Sequence, residues 1–451
     1  MEIEPVEPWE QLRSLMEANP KLLNSYLHSL SGSDAVRALL RLTEKEQRQL
    51  LLLITPEAAA DIIEDVPDEH AADLIESLPI EQAATIINEM ESDEEADVLA
   101  EIAPNELQQI FHQLPANKVA AAIELMAHDP YSAGGLMVRE FLFYPPESSV
   151  GEVLRDVMSP ELKVSRSATQ FVYVTDQDSL LLGAVRVRDL IGIPKNLTLR
   201  SKMQPVTTVN VETSIQSLHE YFEEDDEAFA LAVTTDDGHL AGLLLRSDVE
   251  ENLIQRSETD HLKSFGIVGG EELRTMPLRR RSGRRLSWLT LNIGLNVIAA
   301  SVIAAFEDTL STVIILAVFL PIVSDMSGCS GNQALAVSMR ELTLGIINSR
   351  EALRVWWKEI QVGVINGLVI GLLVGTAAWF WKGNLALGIV IGAALSINTV
   401  IAVSIGGTVP LMLKRLQIDP AVASGPVLTT VTDVCGFLLL LGLATLSLPL
   451  L

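Results

Sequence analysis

Gly425-Pro-Val-Leu-Thr429-Thr-Val-Thr-Asp433-Val-Cys435-Gly436-Phe-Leu-Leu-Leu-Leu-Gly-Leu443 sets one carboxylate in the middle of the last apolar stretch of a 451-residue chain. On insertion scales an ionised aspartate at bilayer depth costs about 2.5–3.5 kcal/mol, so such a group normally faces a water-filled path or a partner on a neighbouring helix. Thr429 lies four residues earlier, on the same helical face. Two readings follow: a carboxylate buried against another helix, or a cation site.

The charge divides the chain. Residues 1–278 carry 20 Lys and Arg against 51 Asp and Glu, a net of −31; residues 279–451 carry 12 against 8, a net of +4. The first part reads as acidic and soluble, the second as membrane. Binding to nucleic acid is excluded as a natural activity, because phosphate contacts require clustered bases, whereas an acidic surface attracts cations. Cys329 and Cys435 both fall in apolar segments, so neither a disulfide framework nor a zinc spacing is present. The opening Met-Glu-Ile-Glu-Pro-Val-Glu-Pro-Trp-Glu is acidic and is not read as a secretory leader.

Two repeats organise the acidic part. Units opening at Pro56, Pro67 and Pro79, with less regular copies near Ser92, Pro104 and Pro115, recur every 11 to 13 residues. The clear units begin with Pro and an acid and then place Ala, Ile and Leu at helical spacing. Helices this short must stack on neighbours, which predicts an α-superhelix over about Glu10–Met126, within a domain of residues 1–130. Its acids read as solvated charge; the run Glu91-Ser-Asp93-Glu94-Glu95-Ala-Asp97 is dense enough to be a divalent-cation surface as well.

The second repeat has a period of 59, pairing Gly183 with Gly242 and Asp189 with Asp248. Each copy reads as strand, turn, strand and helix start, preceded by an amphipathic helix at Val150–Met158 or Ile215–Phe222. This tandem unit resembles the cystathionine-β-synthase-type (CBS) regulatory domain, with copies at 131–200 and 201–248. Such pairs often bind adenine nucleotides such as ATP, with Ser or Thr three residues before the helix Asp; here Arg186 and Leu245 stand there. An acidic linking helix follows, about Val249–Phe265, in a segment of residues 249–278.

Arg279-Arg-Arg-Ser-Gly-Arg-Arg285 precedes the first apolar run and orients the acidic part to the cytoplasm. Apolar segments at Leu286–Phe306, Thr312–Met339, Trp356–Trp381, Leu385–Leu413 and Gly425–Leu448 predict five spans, with basic loops alternating so that the C-terminus is external. The second is interrupted by Pro321-Ile-Val-Ser-Asp325-Met-Ser-Gly-Cys329-Ser-Gly-Asn332-Gln333, where Asp325, Cys329 and Asn332 share one face. That face is either a packing seam or a pore lining. Ser396, Asn398 and Pro410 interrupt the fourth span more weakly.

The predicted fold is therefore multidomain: α-superhelix, α/β CBS pair and a polytopic α-helical membrane part at 279–451. In this order the parts resemble the MgtE-type magnesium channels. Ala133-Gly-Gly-Leu-Met137, Pro321…Gly331-Asn332-Gln333 and Asp419-Pro420…Asp433…Gly436 carry the likeness. The resemblance implies a homodimer in a bacterial inner membrane, with a pore on its two-fold axis lined by the second and fifth spans. It implies Mg²⁺ import, shut by internal Mg²⁺ binding to the acidic domains. Asp433, Thr429, Asp419, Asn332 and Asp325 would then serve the pore. Asp93, Glu94, Asp97, Glu212, Glu224, Asp248, Glu251 and Asp260 would serve the sensor and gate. Cys329, Arg256 and Ser214 depart from the family pattern, and Asp325 has no counterpart in it. Mn²⁺ or Co²⁺ transport, and a membrane-anchored signalling protein, are the alternatives. No nucleophile–base set or P-loop supports an enzyme.

Overall fold

The computed structural model describes residues 7–159, 170–226, 228–270, 272–274 and 276–451. The first six residues of the acidic opening, and residues 160–169 within the first CBS-like copy, lie outside the described set. The described residues form two compact units, one up to Gln255 with 273–274 and one of 256–270 and 272 with Met276–Leu451.

Ten short helices open the first unit: α1 Pro8–Ala18, α2 Leu23–Leu27, α3 Gly32–Arg41, α4 Glu44–Leu53, α5 Pro56–Glu64, α6 Asp68–Glu76, α7 Ile80–Glu89, α8 Ser92–Glu101, α9 Pro104–Phe111 and α10 Ala116–Met126. Their starts are encoded locally. Thr43 and Glu46 form a capping box, Ser31 and Thr55 cap α3 and α5, and prolines stand at or just before most of the others. Each helix from α5 to α8 packs on the next but one. This leaves Ile63, Ile75, Ile87 and Leu99, spaced by one repeat, fully buried in a continuous core.

The 59-residue repeat gives two three-stranded sheets. In the first, β1 Leu142–Tyr144 pairs parallel with β2 Phe171–Thr175, and β2 pairs antiparallel with β3 Leu181–Arg186; α11 Val150–Val157 and α12 Val187–Leu190 accompany them. The second repeats the plan with β4 Thr208–Asn210, α13 Ile215–Glu224, β5 Ala230–Thr234, β6 Leu240–Leu245 and α14 Arg246–Ser264. The leading segments are exchanged. Val138 bridges to Leu243 of the second copy, and Gln204 bridges to Ala184 of the first. Gly242 is needed here, since a Cβ would sit 2.6 Å from the Met137 sulfur.

The second unit holds the end of α14 and six further helices: α15 Leu278–Ala305, α16 Glu307–Thr312, α17 Leu316–Thr343, α18 Ala352–Lys382, α19 Leu385–Arg415 and α20 Pro420–Leu446. Four of them, α15, α18, α19 and α20, are long and apolar enough to cross a membrane. The 28-residue α17 does not reach that apolarity, because Ser324, Asp325, Ser327, Ser330, Asn332 and Gln333 interrupt it. The expected linking helix starts earlier than its sequence suggests, at Arg246.

Glycines at four-residue intervals, Gly363, Gly367, Gly371 and Gly375, let α18 lie against Gly388, Gly392 and Ser396 of α19. A Cβ on Gly375 would stand 2.6 Å from the Gly388 carbonyl oxygen. This small-residue contact is how helices associate where lipid removes the hydrophobic drive. Leu316, Phe319, Val323, Ile391, Leu395, Leu440 and Leu441 form the core joining α17, α19 and α20.

Candidate functional site

Two groups of acids stand out, one in each unit. In the second unit Asp433 is half-buried on α20, and the Ser324 hydroxyl of α17 donates a hydrogen bond to its carboxylate. Behind this contact Asn398 of α19 is fully buried. Its amide donates to the Ser327 hydroxyl at 2.5 Å and the Thr432 carbonyl at 3.0 Å. Thr429, one turn before Asp433, is exposed in the single chain. So are Asp325, Cys329 and Asn332, which form one polar face of α17 as their spacing requires.

Asp419 caps α20. One carboxylate oxygen accepts from the Ala421 N–H at 2.8 Å, and the other takes the Lys263 ammonium of α14 at 3.2 Å. Asp260, one turn before Lys263, is partly buried and accepts from the Thr343 hydroxyl at 3.4 Å. Burial pushes its carboxyl above the usual range, with Arg256 pulling the other way.

In the first unit the acids expected to be solvated turn inward. Asp93 is 8% exposed and Glu95 1%. One Asp93 oxygen and one Asp248 oxygen are buried without a hydrogen-bond partner. Burial, with the charges of Asp248 and Glu91 added, raises Asp93 well above a normal carboxyl. Burial raises Glu94 to about 10, with Asp93 and Asp97 as the leading charges, and Asp97 to about 7 with Asp68 pressing on it. Burial also raises Asp248 to about 6, and Glu251, itself exposed, adds to that shift. Glu64, raised to about 7, accepts from the Glu91 N–H at 2.9 Å, and Asp68 rises to about 6. Lys118 relieves only the flank, pairing Glu95 at 3.0 Å and Glu140 at 3.7 Å.

Asp93, Glu94, Asp97 and Asp248 are thus brought together, and Glu64, Asp68 and Glu91 join them. Glu91 belongs to the run already read as a cation surface, whereas Glu64 and Asp68 come from α5 and α6 through a stacking of the short helices that no local pattern reveals. Glu212 and Glu224 do not join. Both are exposed, Glu212 lies 3.7 Å from His128, and neither is among the charges acting on the group. Among the described residues no three His, Cys, Asp or Glu side chains are placed to hold one metal ion.

A cleft of about 430 Å³ opens in the CBS pair, lined by Phe171, Arg186, Asp189, Lys202 and Phe229. The Arg186 guanidinium lies 5.6 Å above the Phe171 ring.

The sequence model of MgtE, described as a divalent cation transporter, matches residues 320–443; the MgtE intracellular N domain matches 30–131 and a CBS domain 201–254. The magnesium transporter MgtE of Enterococcus faecalis is 30% identical over 328 residues, 72% of this chain and 70% of that one. The chain belongs to the MgtE family. The Bacillus subtilis magnesium transporter MgtE is 28% identical over 333 residues, 74% of this chain and 73% of its own. A solved structure titled as the cytosolic domain of the Mg²⁺ channel MgtE in complex with ATP is 24% identical. The alignment spans 53% of this chain and 97% of that one, at a TM-score of 0.49. As an MgtE-family member the protein is a membrane transporter and not an enzyme.

Proposed function

We propose that this MgtE-family protein is a Mg²⁺ channel that works as a homodimer with five spans per chain, α17 being the second of them beside the four more apolar helices. The observation that carries it is the Asp433 carboxylate, held by a hydroxyl in a helix whose apolar core has no Lys or Arg. Beside it, α17 turns Asp325, Cys329 and Asn332 outward. An aspartate facing lipid is costly, so a second copy meeting along this face and enclosing water accounts for it. Magnesium suits the donors. It gives up its waters reluctantly and is usually held by one or two carboxylates through them. Asp433, with the exposed Asp325, Asn332 and Thr429 as further oxygens, offers an outer-sphere set and no dry cage.

Closure is proposed to come from the acid group around Asp93, Glu94, Asp97 and Asp248. Internal Mg²⁺ at millimolar level would neutralise these carboxylates and favour the compact state that binds it. Helix α14 then links them to the membrane unit, since it begins beside the acids at Asp248 and ends at Lys263 on Asp419. The CBS cleft fits a nucleotide: Arg186 and Lys202 for phosphate, Asp189 for ribose hydroxyls and the two phenylalanines as apolar walls. We infer an adenine nucleotide there. Its test is whether ATP raises the melting temperature of the wild type but not of Arg186→Ala.

The transport reading is tested by Mg²⁺ entry into liposomes holding only this purified protein. Flux that exceeds protein-free liposomes supports it; equal flux would overturn it. Mn²⁺ and Co²⁺ in the same assay decide the specificity.

A further inference from the structure

We propose that Asn398 is the positioning residue for the Asp433 carboxylate, a role that rests on Asp433 being the pore carboxylate. Asn398 is 0% exposed at the junction of α17, α19 and α20. Its amide nitrogen reaches three acceptors on the other two helices: the Ser327 hydroxyl at 2.5 Å, the Thr432 carbonyl at 3.0 Å and the Val323 carbonyl at 3.5 Å. The Ser327 hydroxyl in turn donates to the Val323 carbonyl. Val323 and Thr432 are the chain neighbours of Ser324 and Asp433, the two residues whose side chains meet. The amide therefore holds both helices one residue away from the contact that orients the carboxylate.

The approach is built for this purpose. Gly436 stands where any Cβ would lie 2.7 Å from the Asn398 nitrogen, so the amide enters only because that position has no side chain. Thr432 and Ser327 are themselves fully buried. The Asn398 carbonyl oxygen has no hydrogen-bond partner among the described residues. In a closed apolar bundle, an acceptor left so costs stability. An amide whose donors are used and whose acceptor is not is there for the donors.

The magnitude follows from helix geometry. A carboxylate projects ~6 Å from its helix axis, so a rotation of α20 by about 20° displaces it by about 2 Å. That is enough to break its contact with Ser324 and to change its distance to a hydrated ion. Because the clasp spans three helices, its loss should change how tightly the path takes Mg²⁺ more than whether the bundle folds.

The test uses full-length protein in liposomes with the side bearing the acidic unit free of Mg²⁺. It measures half-saturating Mg²⁺, maximal flux, dimer content and melting temperature. Asn398→Leu keeps the branched shape, adds some bulk and removes the donors. The expected result is a rise of about tenfold in half-saturating Mg²⁺, with dimer content close to wild type and a melting temperature that falls because buried acceptors lose their donor. A drop in maximal flux and melting temperature at unchanged half-saturation would mean a purely structural role and would overturn the proposal. Full wild-type behaviour would overturn it too. If Asn398→Leu does not fold, Ser327→Ala decides, since it removes one of the amide's acceptors; about a threefold rise is expected, and no change rejects the idea. Asp433→Asn is run beside them. If that variant transports normally, the pore-carboxylate reading fails; if it is dead while Asn398→Leu is normal, only the positioning role fails.

Discussion

Asp433 and Asp93 are both acids drawn away from water, but their surroundings are opposite. Asp433 has a hydroxyl donor and no neighbouring carboxylate on its own helix within the span. Asp93 has Asp248, Glu91 and Glu94 around it, with one oxygen that no donor reaches. A single held carboxylate lowers the free energy of a passing dication and lets it go. Several crowded carboxylates store repulsion, and only multivalent neutralisation or protonation relieves it. On the function proposed above, the same residue type would serve conduction in one unit and concentration sensing in the other, according to the number of acids packed beside it.

The comparison breaks most visibly at Asp433. Asp433→Asn keeps size and the Ser324 contact but removes the charge, and Mg²⁺ flux is expected to fall on the order of a hundredfold or more, about 2.7 kcal/mol. Correct insertion and dimer content serve as controls; flux within a few-fold of wild type would contradict the assignment. The sensor is challenged by replacing Asp93, Glu94 and Asp97 together with Ala. The wild type should gain protection from protease with Mg²⁺ over matched NaCl, because monovalent salt screens without bridging, and the variant should lose that gain. Protection equal to wild type would remove the sensor from this site.

Protons should substitute for Mg²⁺ at the crowded site alone. The folded values of Asp68 and Asp248 lie near 6 and those of Glu64 and Asp97 near 7, all above ordinary carboxyls. A raised acid binds its proton more tightly folded than unfolded. It therefore adds stability that is full below the unfolded value and is lost as pH rises through the folded one. In chelator, the melting temperature of the full chain should fall between about pH 5 and about pH 7.5, and Mg²⁺ should restore it at the upper end and add little at the lower. A pH-independent melting temperature across that window would mean the acids are not coupled to folding. The smallest effect is expected at Lys263. Its pair with Asp419 is partly exposed and worth under about 1 kcal/mol, so Lys263→Ala should shift the Mg²⁺ needed for closure by only about two- to threefold.

Much of this was legible in the chain itself. The 11- to 13-residue units located α5 to α10 because all but α8 open with a proline or a capping residue, and the 59-residue period located both sheets. That Asp325, Cys329 and Asn332 share one face of α17 followed from spacing, but not that this face is exposed. What was not legible depends on distant pairs. Glu64 meets Glu91 across 27 residues, and Ser324 meets Asp433 across 109, through packing that no local pattern specifies. Asn398 looked like a weak polar interruption because its partners are 34 and 71 residues away. The α18 glycines, by contrast, carry a four-residue spacing that is readable in the sequence itself.

The most direct measurement is Mg²⁺ flux through the purified full-length protein in liposomes as Mg²⁺ is raised on the side bearing the acidic unit. The wild type should conduct at low Mg²⁺ and shut in the millimolar range, the Asp93/Glu94/Asp97→Ala variant should stay open, and Asp433→Asn should carry nothing at any concentration. Wild-type flux that ignores Mg²⁺ on that side, or Asp433→Asn flux that matches wild type, would contradict the division of labour between the two sites.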